Sequence, residues 1–391
     1  MRFLWLAGDV ISSPSTGLEV YSMGLLRALA AQPGVEVLAM GLAEPESKST
    51  PPSFPWHAVR APHRKSFPSL MHPLPHMAYV VSPAAYRDEL RRLLTAEEWD
   101  AVFVDHLRMG WAIRLVRRLR PQAAIVYASQ NHETSVRRSV ARAEHNWAKR
   151  VVRELEARKV AWLERRLVDA ATTVTAITES DAALYRPQAR RVVEVSPGYS
   201  GDSLATRAIS TSTPRRVALL GNLLWTVKQD NLRLFLDAAD GALTDAGIQA
   251  AVIGPVPPAF RTELERRYRS IVVTGRVDSV AAELAQARLG VISQPQGGGF
   301  KLRALDYVFN RVPIVTLAGS ADGLPLVPGT SMLECPSEAT VAEAIVATID
   351  DFDTLNRLQE AAFTACHDAY NWDARGAALV GAVTGSDAVR P

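Results

Sequence analysis

Cysteine is nearly absent: Cys335 and Cys366 are the only two in 391 residues. They cannot form a disulfide framework, and neither has a second thiol at C-x-x-C spacing, so a reducing cytoplasm is the expected setting. No apolar run approaches the roughly 18–20 residues of a membrane span. The N-terminal stretch Arg2–Ala7 is apolar, but Asp9 interrupts it and no cleavage-like site follows, so it reads as a buried strand and not as a signal peptide. Neither sign of charge dominates. With 44 Lys and Arg against 41 Asp and Glu the net charge is +3, and nothing in that total demands nucleic acid. Neither half has a Gly-x-Gly-x-x-Gly after its first strand, which argues against a dehydrogenase. Serine–histidine–aspartate and cysteine–histidine nucleophile sets are also missing, as are repeats and low-complexity tracts.

What remains is an ordinary globular composition with 48% hydrophobic residues, enough to offset the entropy of ordering. The length is too great for one core and fits two domains of roughly 150–200 residues. Short apolar runs alternate with helical patterns from end to end, which predicts an α/β chain of parallel strands and crossover helices. Strands are expected at 2–7, 35–40, 101–105, 124–128, 172–177 and 192–195, and again at 217–220, 250–253, 271–274, 289–293 and 312–316. The polar, Pro- and Gly-bearing stretch 196–215 reads as an interdomain linker. The expected domains are therefore 1–200 and 201–373, with 374–391 packing back on the first. Residues 45–77 carry eight prolines and four histidines (His57, His63, His72, His76) and read as a long connection outside the core. His72 and His76 have a metal-like spacing, but Pro73 and Pro75 prevent the helix that would align them, so no metal is expected.

The segment Gln294-Pro-Gln-Gly-Gly-Gly-Phe-Lys-Leu-Arg-Ala-Leu-Asp306 follows a strand and opens a helix. Gly297, Gly298 and Gly299 would let the backbone approach a ligand and aim N–H groups at an anion. The helix N-terminus, Lys301 and Arg303 add positive potential, and Asp306 can accept hydrogen bonds from sugar hydroxyls. A flexible loop before an amphipathic helix has the same pattern. Residues 137–166 hold ten Lys and Arg against four Glu, a local net of +6. Such a stretch suits an anionic lipid surface or an anionic acceptor, or a solvated face laced with Glu–Arg pairs.

Residues 297–307, followed by Val312-Pro-Ile-Val-Thr and Gly323-Leu, resemble the donor-binding region of family-4 glycosyltransferases, in the Gly-Gly-Gly variant of their Glu-x7-Glu motif. Gly298 falls at the first acid of that motif and Asp306 at the second. Gly221-Asn-Leu-Leu-Trp, Val252-Ile-Gly254, Thr274-Gly-Arg-Val-Asp278, Tyr370-Asn-Trp-Asp, Ser15-Thr-Gly17 and Ser196-Pro-Gly-Tyr follow in the family's order. The resemblance spans essentially the whole chain. It implies a GT-B fold, two Rossmann-like doubly wound domains facing across a cleft, and a retaining, metal-independent hexosyl transfer. The sugar would pass from a nucleotide sugar such as a UDP-, GDP- or dTDP-sugar to a hydroxyl or amine of a glycan, lipid-linked or natural-product acceptor, with no cofactor besides that co-substrate. It further implies that Gly221, Asn222, Lys228, Arg276, Val277, Gly297, Gly298, Gly299, Phe300, Lys301 and Asp306 bind the donor. Ser15, Thr16, Gly17, His106, Gln130 and Asn131 would line the phosphate and acceptor side, and His132 and Lys228 would serve the chemistry. Two departures stand out: Asn222 replaces a common arginine, and the family's histidine falls on Gln130, two residues before His132. They keep a nucleotide-sugar epimerase and a catalytically degenerate partner protein open as alternatives.

Overall fold

The computed structural model describes residues 1–12, 14, 16–43, 54–294 and 302–385. The chain forms two compact units, Met1–Gly198 with Asn371–Pro391, and Tyr199–Tyr370. In the first, strands β1 (Arg2–Asp9), β2 (Glu36–Ala43), β3 (Trp56–Arg60), β4 (Ala101–Asp105), β5 (Ala124–Ala128), β6 (Thr173–Ala176) and β7 (Val192–Glu194) pair in the order β3-β2-β1-β4-β5-β6-β7. In the second, β8 (Arg216–Leu220), β9 (Gln249–Ile253), β10 (Ile271–Gly275), β11 (Leu289–Ile292), β12 (Ile314–Leu317) and β13 (Leu333–Cys335) pair as β10-β9-β8-β11-β12-β13. Every pairing is parallel. The crossovers are mostly helical, and helices cover both sheets, which is why the central strands are nearly continuous apolar runs.

Three departures from the sequence expectation have physical causes. The proline-rich segment is not wholly outside the sheet: the Pro-free run Trp56–Arg60 adds β3 at the edge, beside β2, where its outer side needs no partner. The helical pattern expected over 136–169, with one break allowed, begins three residues earlier and divides at 143–146 into Glu133–Arg142 and Trp147–Ala170, because the Asn146 side chain caps the second helix by accepting the Lys149 N–H. The expected linker is fastened along the second unit: Leu204 N–H donates to Phe309, Arg207 donates to the Ala285 and Ala287 carbonyls, and Ile209 exchanges bonds with Asn356. The chain therefore crosses between units at Gly198/Tyr199 and Tyr370/Asn371.

The helix Trp372–Thr384 packs on the first unit through small residues. An added Cβ at Gly24, in the helix Gly17–Ala30, would lie 2.1 Å from the Trp372 indole, and one at Gly198 would lie 2.5 Å from it. A mid-helix Gly→Ala change ordinarily gains about 1 kcal/mol of propensity, but here overpacking costs about 1–3 kcal/mol. Gly24→Ala should therefore lower the melting temperature of the first unit by several degrees and leave the second unit's transition in place. Differential scanning calorimetry would show it, and a stabilised first unit would contradict this packing.

Candidate active site

The strand order of each sheet reverses once, between β1 and β4 and between β8 and β11. At such a switch the crossovers leave in opposite directions and a crevice opens beyond the strand C-termini. Both crevices are present. In the second unit a concavity of about 450 Å³ is lined by Leu220 and Gly221 at the end of β8, by Val291, Ser293 and Gln294 at and after β11, and by Lys228 and Asn231 of the helix Thr226–Asp245. In the first, one of about 300 Å³ is lined by Gly8 and Asp9 of β1, Leu18 and Glu19 of the following helix, and Asp105, His106 and Arg108.

Glycines shape the rim in the second unit. Strands β8, β9 and β10 run directly into or end on Gly221, Gly254 and Gly275. Gly254 sits at φ 125°, and a Cβ there would lie 2.0 Å from the Gly221 carbonyl oxygen, so no other residue fits. Lys228 stands in the first turn of its helix, half-buried at the crevice. Burial, and then the repulsion of Arg303, push its ammonium below the usual lysine range. No carboxylate among the described residues is paired with it. Arg303 and Asp306 lie on the helix Leu302–Phe309. Asp306 accepts from the Tyr199 hydroxyl at 3.2 Å and faces the Arg303 guanidinium at 3.5 Å. Burial nonetheless outweighs both and raises its carboxyl above the ordinary value. The Ser293 hydroxyl is buried in the crevice wall and has no hydrogen-bond partner among the described residues.

Asn222 turns its side chain inward on the backbone, accepting the Leu224 N–H at 3.2 Å. Arg276 is exposed and Val277 packs partly against the core beyond β10. Gly297, Gly298, Gly299, Phe300 and Lys301 lie outside the described residues, as does Ser15.

The first unit's crevice is organised differently. Thr16 and Glu19 form a reciprocal capping box, and Gly17 is the first helical residue. Asp105 is fully buried. Burial drives its carboxyl up, although Ser22 donates at 3.0 Å, Trp5 at 3.3 Å and Gln130 at 3.4 Å. Gln130 also donates to Ser22 at 2.9 Å, so it is held in that network. His106 adopts φ 64°, with Nδ1 accepting from the Arg108 N–H and Nε2 on Glu133 at 3.1 Å. Both ring nitrogens are therefore engaged. Burial pushes the Glu133 carboxyl up, but the His106 hydrogen bond, the His106 charge and Arg137 outweigh it and hold it below the usual range. His132 packs edge-on against Tyr185 and bonds Ser135 at 2.6 Å, while the Asn131 carbonyl accepts from Ser129 and Tyr185.

Two residues missed in the sequence complete the picture. Glu164 is 2% exposed and accepts the Glu133 and Thr134 N–H groups, the Thr134 hydroxyl and the Tyr185 hydroxyl, so it fastens the start of the helix Glu133–Arg142 to the helix Trp147–Ala170. Asp351-Phe-Asp353 is an Asp-x-Asp, but Asp351 is occupied in capping a helix by accepting the Thr354 N–H. Among the described residues no cluster of three or more His, Cys, Asp or Glu could hold a metal ion.

The comparisons agree with this architecture. The model of the glycosyl transferase 4-like domain matches residues 16–198, and that of the glycosyl transferases group 1 matches residues 214–351. No curated protein matches the chain in sequence. Among solved structures, sucrose-phosphate synthase from Thermosynechococcus elongatus superposes with a TM-score of 0.73 at 15% identity, covering 98% of each chain. HepE of Anabaena in complex with UDP gives 0.67 at 13% identity, over 98% of this chain and 100% of that one. WaaG, a glycosyltransferase involved in lipopolysaccharide biosynthesis, gives 0.65 at 14%, also over 98% and 100%. At these identities the likeness shows the fold, GT-B with two Rossmann-like domains. With the two domain models together covering more than four fifths of its length, the chain belongs to the glycosyltransferases of that fold.

Proposed function

We propose that the enzyme is a retaining, metal-independent hexosyltransferase of the family-4 type that uses a nucleotide sugar. The observation that carries this reading is the crevice at the β8/β11 switch. There Lys228 stands half-buried in the crevice wall, repelled by the Arg303 charge from a different helix, and no carboxylate among the described residues is paired with it. Such an arrangement is costly when empty and favourable around a diphosphate. Asp306 supplies acceptor oxygens for the ribose, and the Gly-Gly-Gly segment 297–299 supplies backbone donors, as in the motif variant it resembles. HepE of Anabaena has been crystallised with UDP and with UDP-glucose, which places uridine donors first in a panel that includes GDP- and dTDP-sugars.

In the transfer the bond between the anomeric carbon and the leaving phosphate oxygen breaks, and the acceptor oxygen or nitrogen bonds that carbon on the same face. The acceptor proton ends on the departing phosphate or in water. Lys228 and Arg303 stabilise the developing negative charge, the task that a divalent cation would otherwise perform. No helix among the described residues is long and apolar enough to cross a membrane. A cytoplasmic setting is part of this proposal, as is an acceptor bound in the first unit near Thr16, Gly17, His106, Gln130, Asn131 and His132.

Calorimetric titration with nucleoside diphosphates should show binding of at least one, and binding of none would overturn the transferase reading. Lys228→Ala should weaken that affinity by about 10- to 100-fold, the range for a charge-assisted hydrogen bond. With the acceptor supplied, the product's anomeric configuration by NMR should match the donor's, and a chelator should leave the rate unchanged. An inverted product or a chelator-dead enzyme would contradict the mechanism. An epimerase would instead convert the donor without acceptor.

Asp306→Asn separates function from stability. A carboxyl whose folded pKa is raised favours folding only below its unfolded pKa, and that contribution is lost as pH rises through the folded value. At neutral pH the variant should therefore melt about 2 °C higher than the unliganded parent, while binding donor about tenfold more weakly. The thermal gain should vanish once the pH falls below the ordinary aspartate value of about 4. A lower melting temperature at neutral pH would show that Asp306 is structural.

A further inference from the structure

The helix Trp147–Ala170 carries two apolar stripes. Ala157, Val160, Leu163, Leu167 and Val168 face the core of the first unit. At 100° per residue, Trp147, Val151, Leu155 and Trp162 fall within about 80° of one another on the opposite side. They are 79%, 59%, 48% and 45% exposed. An amphipathic surface helix needs only one such stripe, so folding does not account for the second.

Two neighbouring features extend it. The 3-10 turn Phe67–Met71 is pinned to this helix by the Lys159 ammonium, which donates to the Ser69 and Leu70 carbonyls at 3.0 and 2.9 Å. In that turn Phe67 is 83% and Met71 93% exposed. The helix Glu133–Arg142 leads into the exposed tip at 143–146, so the two helices form a hairpin. Basic residues surround the stripe. Arg137, Arg150 and Arg153 are paired with Glu133, Glu154 and Glu144. Arg138, Arg142, Arg158, Arg165 and Arg166 have no acidic partner among the described residues, and Arg166 stacks over Trp162 at 4.8 Å. The solvated, Glu-laced face described by the first three pairs is only part of this surface.

We propose that this face docks on an anionic lipid bilayer surface. Tryptophan side chains seat at the headgroup level. Arginine and lysine stems cover apolar surface while their charged ends reach lipid phosphates. Charge selects this occupant over a second copy of the chain. A two-fold dimer through the same patch would set five unneutralised cations against the same five, whereas an anionic leaflet neutralises them. The docking concerns a different surface from the donor crevice and does not depend on the transferase reading.

The full chain should co-sediment with vesicles of mixed phosphatidylglycerol and phosphatidylcholine and not with phosphatidylcholine alone. Binding should weaken as salt shortens the Debye length. Arg158→Glu with Arg165→Glu should lower the partition coefficient by at least about fivefold per residue, the effect of one basic side chain near an anionic leaflet. Val151→Asp with Leu155→Asp should abolish sedimentation at moderate salt. Phe67→Ser with Met71→Ser should weaken it without touching the long helix, so a folding failure of the other variants would not decide the matter. Nucleoside diphosphate titration of each variant should be unchanged. Absence of vesicle binding by the wild type at low salt would overturn the proposal. So would equal binding to neutral vesicles, or a dimer in sedimentation velocity that Val151→Asp with Leu155→Asp dissociates.

Discussion

Parallel pairing is the constraint on which the rest depends. A parallel sheet needs a crossover for every strand pair, and a sheet covered on both faces must reverse the direction of its crossovers once. In both units that reversal falls beside the first strand, between β1 and β4 and between β8 and β11. The two crevices follow from topology before any side chain is chosen. The side chains then decide what each crevice holds, and they decide differently.

In the first unit the buried polar groups are hydrogen-bonded to one another. Asp105 is surrounded by Ser22, Trp5 and Gln130, and His106 by Glu133 and the Arg108 backbone. Such a network loses little by staying empty, and it fixes geometry. In the second unit the charge is mismatched: Lys228 is half-buried near the Arg303 charge, and burial penalises the ionised form of Asp306 by more than Arg303 and Tyr199 restore. Mismatch of this kind lowers stability and is relieved by an anion carrying hydroxyl groups. Glycine enters for the same reason. Gly254 approaches the Gly221 carbonyl so closely that β8 and β9 end at one rim, leaving room for a ligand against backbone.

Most of the sheet pattern was legible in the sequence, because each strand is a short apolar run bounded by glycine or polar residues. Strand β3 was obscured by the prolines flanking Trp56–Arg60, which are compatible with an edge position but resemble a loop in composition. Strand β13, only three residues long, carries too little periodicity to register. The second unit's crevice was legible through Gly221 and Lys228, whose spacing follows a strand–helix unit. The first unit's site was less so. Glu164 reads as one more acid in a basic helix, and only tertiary structure brings it to the Glu133 and Thr134 N–H groups 30 residues away. Asp105 likewise reads as a strand end until Ser22 and Gln130 are seen converging on it.

The helix Trp147–Ala170 shows how one element can meet two demands. Its inner face must satisfy a buried carboxylate, and it does so with four donors, the Glu133 and Thr134 N–H groups and the Thr134 and Tyr185 hydroxyls. Removing that carboxylate would leave two backbone N–H groups buried and unpaired, at about 1–3 kcal/mol each, so Glu164 constrains the helix in rotation as well as position. Once that rotation is fixed, the face bearing Trp147, Val151, Leu155 and Trp162 has a fixed direction too. An exposed apolar stripe on a freely turning helix would simply rotate inward and bury itself, since burial of each such side chain is worth about 1.5–3 kcal/mol. Here Leu163, Leu167 and Val168 already occupy the core side, and Glu164 among them is tied to the start of the helix Glu133–Arg142, so the stripe stays outward and its apolar area remains available to whatever surface can also neutralise the arginines around it.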